Sequence, residues 1–199
     1  VFLYLSIAFY FQHKYWLSII ILSLSLLTHF AILLVLPFIW LLKLRHSTVF
    51  LVVFILSITY VMGLNEMVVS SFSDMAGVSV YESILNYGQE AGLWVGFQWS
   101  LFVYSIFWLI VFIVCSRFVK NRFKRTYINI VKVYAVLLLP YLVFGFGGFS
   151  NRYAFIAWLF IPFVQGVFFG VCKLTQGTKL MLLPVLVSTG SIKFLSYML

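Results

Sequence analysis

The sequence predicts an all-α fold, a polytopic transmembrane helix bundle of about six full spans plus one partial N-terminal span. Kinked helices and one long extracytoplasmic loop complete the expected architecture. Three observations carry this reading. Hydrophobic residues fill 64% of the 199 positions and charged residues only 9%, with mean hydropathy +1.14. A soluble core of this length has no room for so much apolar surface, so the solvent is lipid. The apolar residues fall in long runs, and the basic residues fall between the runs. A helix needs about 20 mostly apolar residues to cross about 30 Å of hydrocarbon, which leaves little length for a separate soluble domain. Residues 1–199 are therefore one transmembrane domain.

Taken in order, the runs cover residues 1–11, 16–42, 48–64, 93–116, 128–146, 153–172 and 180–198. The first is too short for a span. It opens Val1-Phe2-Leu3-Tyr4 with neither an initiator Met nor a basic n-region, which is not how a signal peptide or a natural start reads. The sequence is expected to be a C-terminal portion of a longer membrane protein. Pro37, Pro140, Pro162 and Pro184 each fall in a different run. Each removes a backbone hydrogen bond, which either bends a helix or opens a cavity in the bundle.

Orientation follows from the loops, because cytoplasmic connections retain Lys and Arg. Lys43, Arg45, Arg117, Lys120, Arg122, Lys124, Arg125, Lys173 and Lys179 form one set of nine, against Lys14, Arg152 and Lys193 in the other. The first set is predicted to be cytoplasmic. Lys132 lies just inside a span beside the most basic loop. A net charge of +9, distributed in this way, reports topology and does not point to nucleic acid. Cys115 and Cys172 end apolar runs on the same cytoplasmic side, a setting that argues against a disulfide or metal site.

The long connection, residues 65–92, is then outside and holds all four acids, Glu66, Asp74, Glu82 and Glu90. Ser79 and Glu82 form a capping-box pattern ahead of a short amphipathic helix over 80–87, stopped by Gly88. Glu82 is explained by that cap, and Asp74 by capping its own turn after Ser73. Glu90 lies in flexible surroundings near the membrane surface. It is either a carboxylate able to take a proton from a sugar hydroxyl or a solvated loop charge.

Two further constellations can carry chemistry. Gly145-Phe146-Gly147-Gly148-Phe149-Ser150-Asn151-Arg152 joins two spans on the outer side. Ser150 or Asn151 can cap the following helix, the glycines let a ligand approach, and Arg152 offers a planar donor fork. This suits phosphate or pyrophosphate; the alternative is an interfacial arginine on lipid headgroups. His29, flanked by Thr28 and Phe30, lies near the middle of its run. It is either a base or donor in a site or a neutral ring bonded across helices. Lys14, at the outer end of the same run, either assists anion binding or snorkels.

The intramembrane Ser25-Leu26-Leu27-Thr28-His29-Phe30-Ala31, the outer loop and the late Asn151-Arg152-Tyr153 together resemble the EpsG and Wzy-like family of bacterial polysaccharide polymerases. The resemblance implies a multi-pass protein of the bacterial inner membrane. It implies glycosyl transfer between oligosaccharide repeat units carried on undecaprenyl pyrophosphate, for O-antigen, capsule or exopolysaccharide. Arg152 would stabilise the departing pyrophosphate, with Ser150, Asn151 and Lys14 also in contact with substrate. Glu90 or His29 would take the hydroxyl proton. No cofactor or metal is implied. The implied partners are the lipid-linked oligosaccharide, membrane lipid and other assembly proteins such as a chain-length regulator. A transporter or flippase of lipid-linked sugars and a non-catalytic scaffold are the competing functions.

Overall fold

The computed structural model describes residues 2–28, 34–76, 81–82, 96–147 and 150–178. His29, Glu90, the capping-box serine Ser79 and the last apolar run lie outside the described residues. Within them every regular element is helical apart from an isolated bridge between Val119 and Cys172.

The chain opens with α1 (Phe2–Phe11) and α2 (Tyr15–Thr28), a hairpin whose turn puts His13 at φ 59°. The Ser6 and Ser18 hydroxyls donate to each other's backbone carbonyls at 2.9 Å, satisfying polar groups that lipid would leave bare. The contacts of α1 and α2 are chiefly with one another. Short α3 (Leu36–Ile39) runs into a 3₁₀ turn over Trp40–Lys43. Next come α4 (His46–Val61) and α5 (Leu64–Ala76), then α6 (Trp99–Cys115) and α7 (Asn121–Phe144), and last α8 (Ser150–Trp158) and α9 (Ile161–Val171).

Three segments are long and apolar enough to cross a membrane: Trp99–Phe118, Asn121–Phe144 and Ser150–Val171. The bent pair α4 and α5 supplies a fourth candidate. In an apolar 18-residue stretch of α7, 72% of the residues are buried, against 33% and 44% in the corresponding stretches of the other two. Every residue from Val131 to Leu142 is buried. A helix apolar and covered on all sides is the centre of its bundle, and α4, α6, α8 and α9 pack around it. Two anchors fix the direction of α4 against it. Near the start of α4, Lys132 Nζ donates to the Leu42 and Leu44 carbonyls at 2.7 and 3.2 Å. At its end, the Tyr60 hydroxyl donates to the Gly145 carbonyl at 2.9 Å. The two helices therefore run the same way.

The same contacts collect the basic loops at one end. Lys120 N donates to the Val171 carbonyl at 3.1 Å and Lys173 N to that of Phe118 at 2.8 Å, which pins the loop after α6 to the loop after α9. Lys132 ties the Lys43–Arg45 connection to α7. Cys115 and Cys172 are free thiols at this end.

Two features differ from the sequence expectation. The long connection begins with a helix, because α5 turns 90° away from α4 at Met62-Gly63, where Gly63 takes φ +71°. Only a residue without a Cβ reaches that conformation cheaply. Along α5, Leu64, Met67, Val68, Phe72 and Met75 are exposed and follow i, i+3, i+4 spacing, whereas Asn65 and Ser73 are buried. The proline expectation also divides. Pro140 is inside α7, but Pro37 and Pro162 stand in the first turn of α3 and α9, where the missing N–H costs nothing. The break at Leu159-Phe160 just ahead of Pro162 interrupts the last described span.

Candidate functional site

The end of the bundle opposite the basic loops is built around the C-terminus of α7. The last carbonyls of a helix have no partner within it, and here three other segments supply donors. Asn65, in the first turn of α5, donates its side-chain amide to the Leu142 carbonyl. Tyr60 reaches Gly145 from the last turn of α4, and the backbone N–H of Gly96 reaches the Phe146 carbonyl at 2.7 Å. The rings pack as well: Tyr60 lies 5.2 Å from Tyr141 and 4.9 Å from Phe97, centroid to centroid.

These ties leave a cavity of about 230 Å³ at the bend, lined by Tyr60, Val61, Met62, Gly63, Asn65, Glu66, Phe97 and Phe146. The Tyr60 hydroxyl and the Asn65 amide are both spent on backbone carbonyls. Glu66 is the charged residue of the lining. Its carboxylate accepts a hydrogen bond from the Tyr81 hydroxyl at 2.8 Å, and the Tyr81 N–H donates to Ser73 Oγ at 3.3 Å. Residues 81–82 thus fold back onto α5 beside the cavity, with the Tyr81 ring 6.1 Å from that of Phe146. The hydrogen bond to Glu66, with burial and the carboxylate charge adding to it, pushes the Tyr81 hydroxyl above its ordinary value of 10.0. A carboxylate with one oxygen engaged retains acceptor capacity for a ligand hydroxyl.

The glycine turn after α7 connects this cavity to the start of α8. Phe146 lines the cavity, Ser150 N donates to the Gly147 carbonyl at 3.1 Å, and Ser150, Asn151 and Arg152 open α8. Asn151 Oδ1 accepts the Arg152 N–H at 2.8 Å, so the asparagine satisfies one free donor of the helix start. Ser150 is 1% exposed, and its hydroxyl has no partner among the described residues. Arg152 is exposed.

Of the residues singled out from sequence, Ser150, Asn151 and Arg152 come together at this end. Lys14 is exposed in the α1–α2 turn, 5.9 Å above the Phe9 ring, and the described contacts do not bring it to Arg152. Glu66 is the residue that sequence reasoning passed over. Its signal was present: an acid in the first turn of a helix is stabilised by the helix dipole, and the α5 spacing marks that helix. No protein family matches the chain, and no curated protein or solved structure resembles it significantly.

Proposed function

We propose that this chain belongs to a membrane glycosyltransferase of the bacterial inner membrane, which polymerises oligosaccharide repeat units carried on undecaprenyl pyrophosphate at the outer face. The observation that carries the reading is the polar cavity at the end away from the basic loops, with the Glu66 carboxylate in its wall. By the positive-inside rule that end is extracytoplasmic, and at headgroup depth it meets the head of a lipid-linked substrate.

In the proposed reaction an acceptor sugar hydroxyl attacks the anomeric carbon of the donor. The new glycosidic C–O bond forms as the bond from that carbon to the pyrophosphate oxygen breaks. The bonding pair leaves with the pyrophosphate and the hydroxyl proton passes to a carboxylate. Glu66 is suited to take it, within reach of a ligand in the cavity. Arg152, in the first turn of α8, would stabilise the negative charge on the pyrophosphate. His29 and Glu90 remain candidates for the base on sequence grounds. The partners of this reading are the lipid-linked oligosaccharide, the surrounding lipid and a chain-length regulator.

The second reading is a flippase of the same lipid-linked sugars, favoured by the break between α8 and α9 in the last described span. Glycan length separates the two. In cells expressing equal membrane amounts of each variant, Arg152→Ala should leave single exported repeat units. Arg152→Lys, which keeps charge without the bidentate fork, should give chains of intermediate length. Wild-type chains from Arg152→Ala would remove the anion site, and repeat units trapped in the cytoplasm would select the flippase.

A further inference from the structure

On the face where α4 meets α6 lies a second opening of about 510 Å³, lined by Phe50, Val53, Phe54, Ser57, Phe102 and Ile106 and continuing past Ile110. Ser57 is the one polar side chain in its lining, and its hydroxyl is already donated to the Val53 carbonyl at 2.7 Å. The groove offers a ligand only hydrocarbon, and its size is that of an ordinary ligand pocket. Along α4 it runs from Phe50 to Met62, which at 1.5 Å per residue is about 18 Å, close to the depth of one leaflet. Phe54, Ile58 and Ile110 in its lining are each about half exposed, so the groove opens sideways to lipid.

Val61 and Met62 belong to both linings, that of the apolar groove and that of the cavity holding Glu66. The right-angle bend at Gly63 causes this: it sends α5 across the end of the bundle and leaves the top of the α4–α6 groove uncovered beside the cavity. We infer that the groove holds the polyprenyl tail of the lipid whose head occupies the Glu66 cavity. This rests on the proposed function in assigning a lipid-borne head to that cavity. The shared residues set the geometry: the ligand turns from the headgroup layer into the leaflet at Val61 and Met62, and its first stretch of hydrocarbon lies against the phenylalanines. Bulk lipid can wet such a groove, but an acyl lipid with its head elsewhere gains nothing from the cavity.

The test is native mass spectrometry of the full chain titrated with undecaprenyl phosphate and, separately, with phosphatidylglycerol. Ser57→Phe and Ile110→Trp each fill the groove, the second from an exposed position that tolerates a larger side chain; Ser57→Ala is the control. Both filling variants should lower undecaprenyl phosphate occupancy about tenfold or more, as overpacking does in a confined site. Ser57→Ala should bind as the wild type does, and phosphatidylglycerol binding should be unchanged throughout. Unchanged undecaprenyl phosphate binding in both filling variants overturns the inference, as does an equal loss of phosphatidylglycerol. Glycan length in a Glu66→Gln strain keeps the two ideas apart. Shortened glycan beside an indifferent groove removes only the tail site, whereas full-length glycan beside a groove that discriminates removes only Glu66 as the base.

Discussion

The two ends of the α4–α7 contact solve the same physical problem with different chemistry. At the basic end, the carbonyls of Leu42 and Leu44 are satisfied by a buried ammonium, Lys132. At the other end, the carbonyls of Leu142, Gly145 and Phe146 are satisfied by neutral donors from Asn65, Tyr60 and Gly96. At the first end the lysine is consumed in holding two segments together. At the second, neutral groups do the holding and Glu66 is left facing a cavity. Charge used as a fastener marks architecture. Charge left over beside a fastened scaffold marks a place for a ligand.

Substitution can break that comparison, and Glu66→Gln should have the largest effect. Removing a general base lowers the rate of glycosyl transfer by about 10²- to 10⁴-fold, while thermal unfolding in detergent stays near wild type because the amide oxygen of Gln can still accept the Tyr81 hydrogen bond. A large fall in melting temperature would make Glu66 a fastener too. The reverse pattern belongs to Lys132→Met, which keeps the apolar stem and abandons two carbonyls. Each bond to a charged donor is worth about 1.5–3 kcal/mol, so denaturant unfolding should show the loss and glycan length in surviving protein should not. Tyr60→Phe should be milder, about 0.5–1.5 kcal/mol for one neutral bond, and the same unfolding measurement sees it. The smallest effect belongs to pH at Tyr81. Its hydroxyl is held above 10.0 by Glu66, so its contact is intact below that pH and is lost as pH rises through the raised value. Difference titration at 295 nm between wild type and Tyr81→Phe should place this tyrosine above the ordinary range, and a midpoint at or below 10.0 would detach it from Glu66.

What the sequence revealed and what it hid divide along the same physical line. Hydropathy marks where chain meets lipid, so the segments that became α4, α6, α7 and the α8–α9 pair stood out as apolar runs, and the basic loops pointed to one shared end. Hydropathy says little about helix that meets water or polar neighbours. Thus α7 begins at Asn121, a full two turns before its apolar run, and α5 went unnoticed among Asn65, Glu66, Ser70, Ser71 and Asp74. Arg152 was singled out because glycines and a helix start form a local pattern in the sequence. Glu66 was not, because the cavity needs Phe97 and Phe146 from distant parts of the chain. Lys132 was seen to lie just inside a span, but its acceptors are 88 and 90 residues away, and no local pattern names them.

That distance bears on how the protein is made. When α4 enters the membrane, the Leu42 and Leu44 carbonyls at one end and Tyr60 and Asn65 at the other have no partners, since those lie 77 to 90 residues further along. At about 5–20 residues per second on the ribosome, the wait is about 4 to 18 s. Throughout that interval α4 keeps open polar ends, which interfacial water or the insertion machinery must serve. The arrival of α7 closes both ends, and because its own middle is covered on every side, it completes a space its neighbours have already outlined. The least lipid-exposed span is thus the keystone of biogenesis, and a ribosome stalled before residue 121 would leave behind a set of helices with no centre to assemble around.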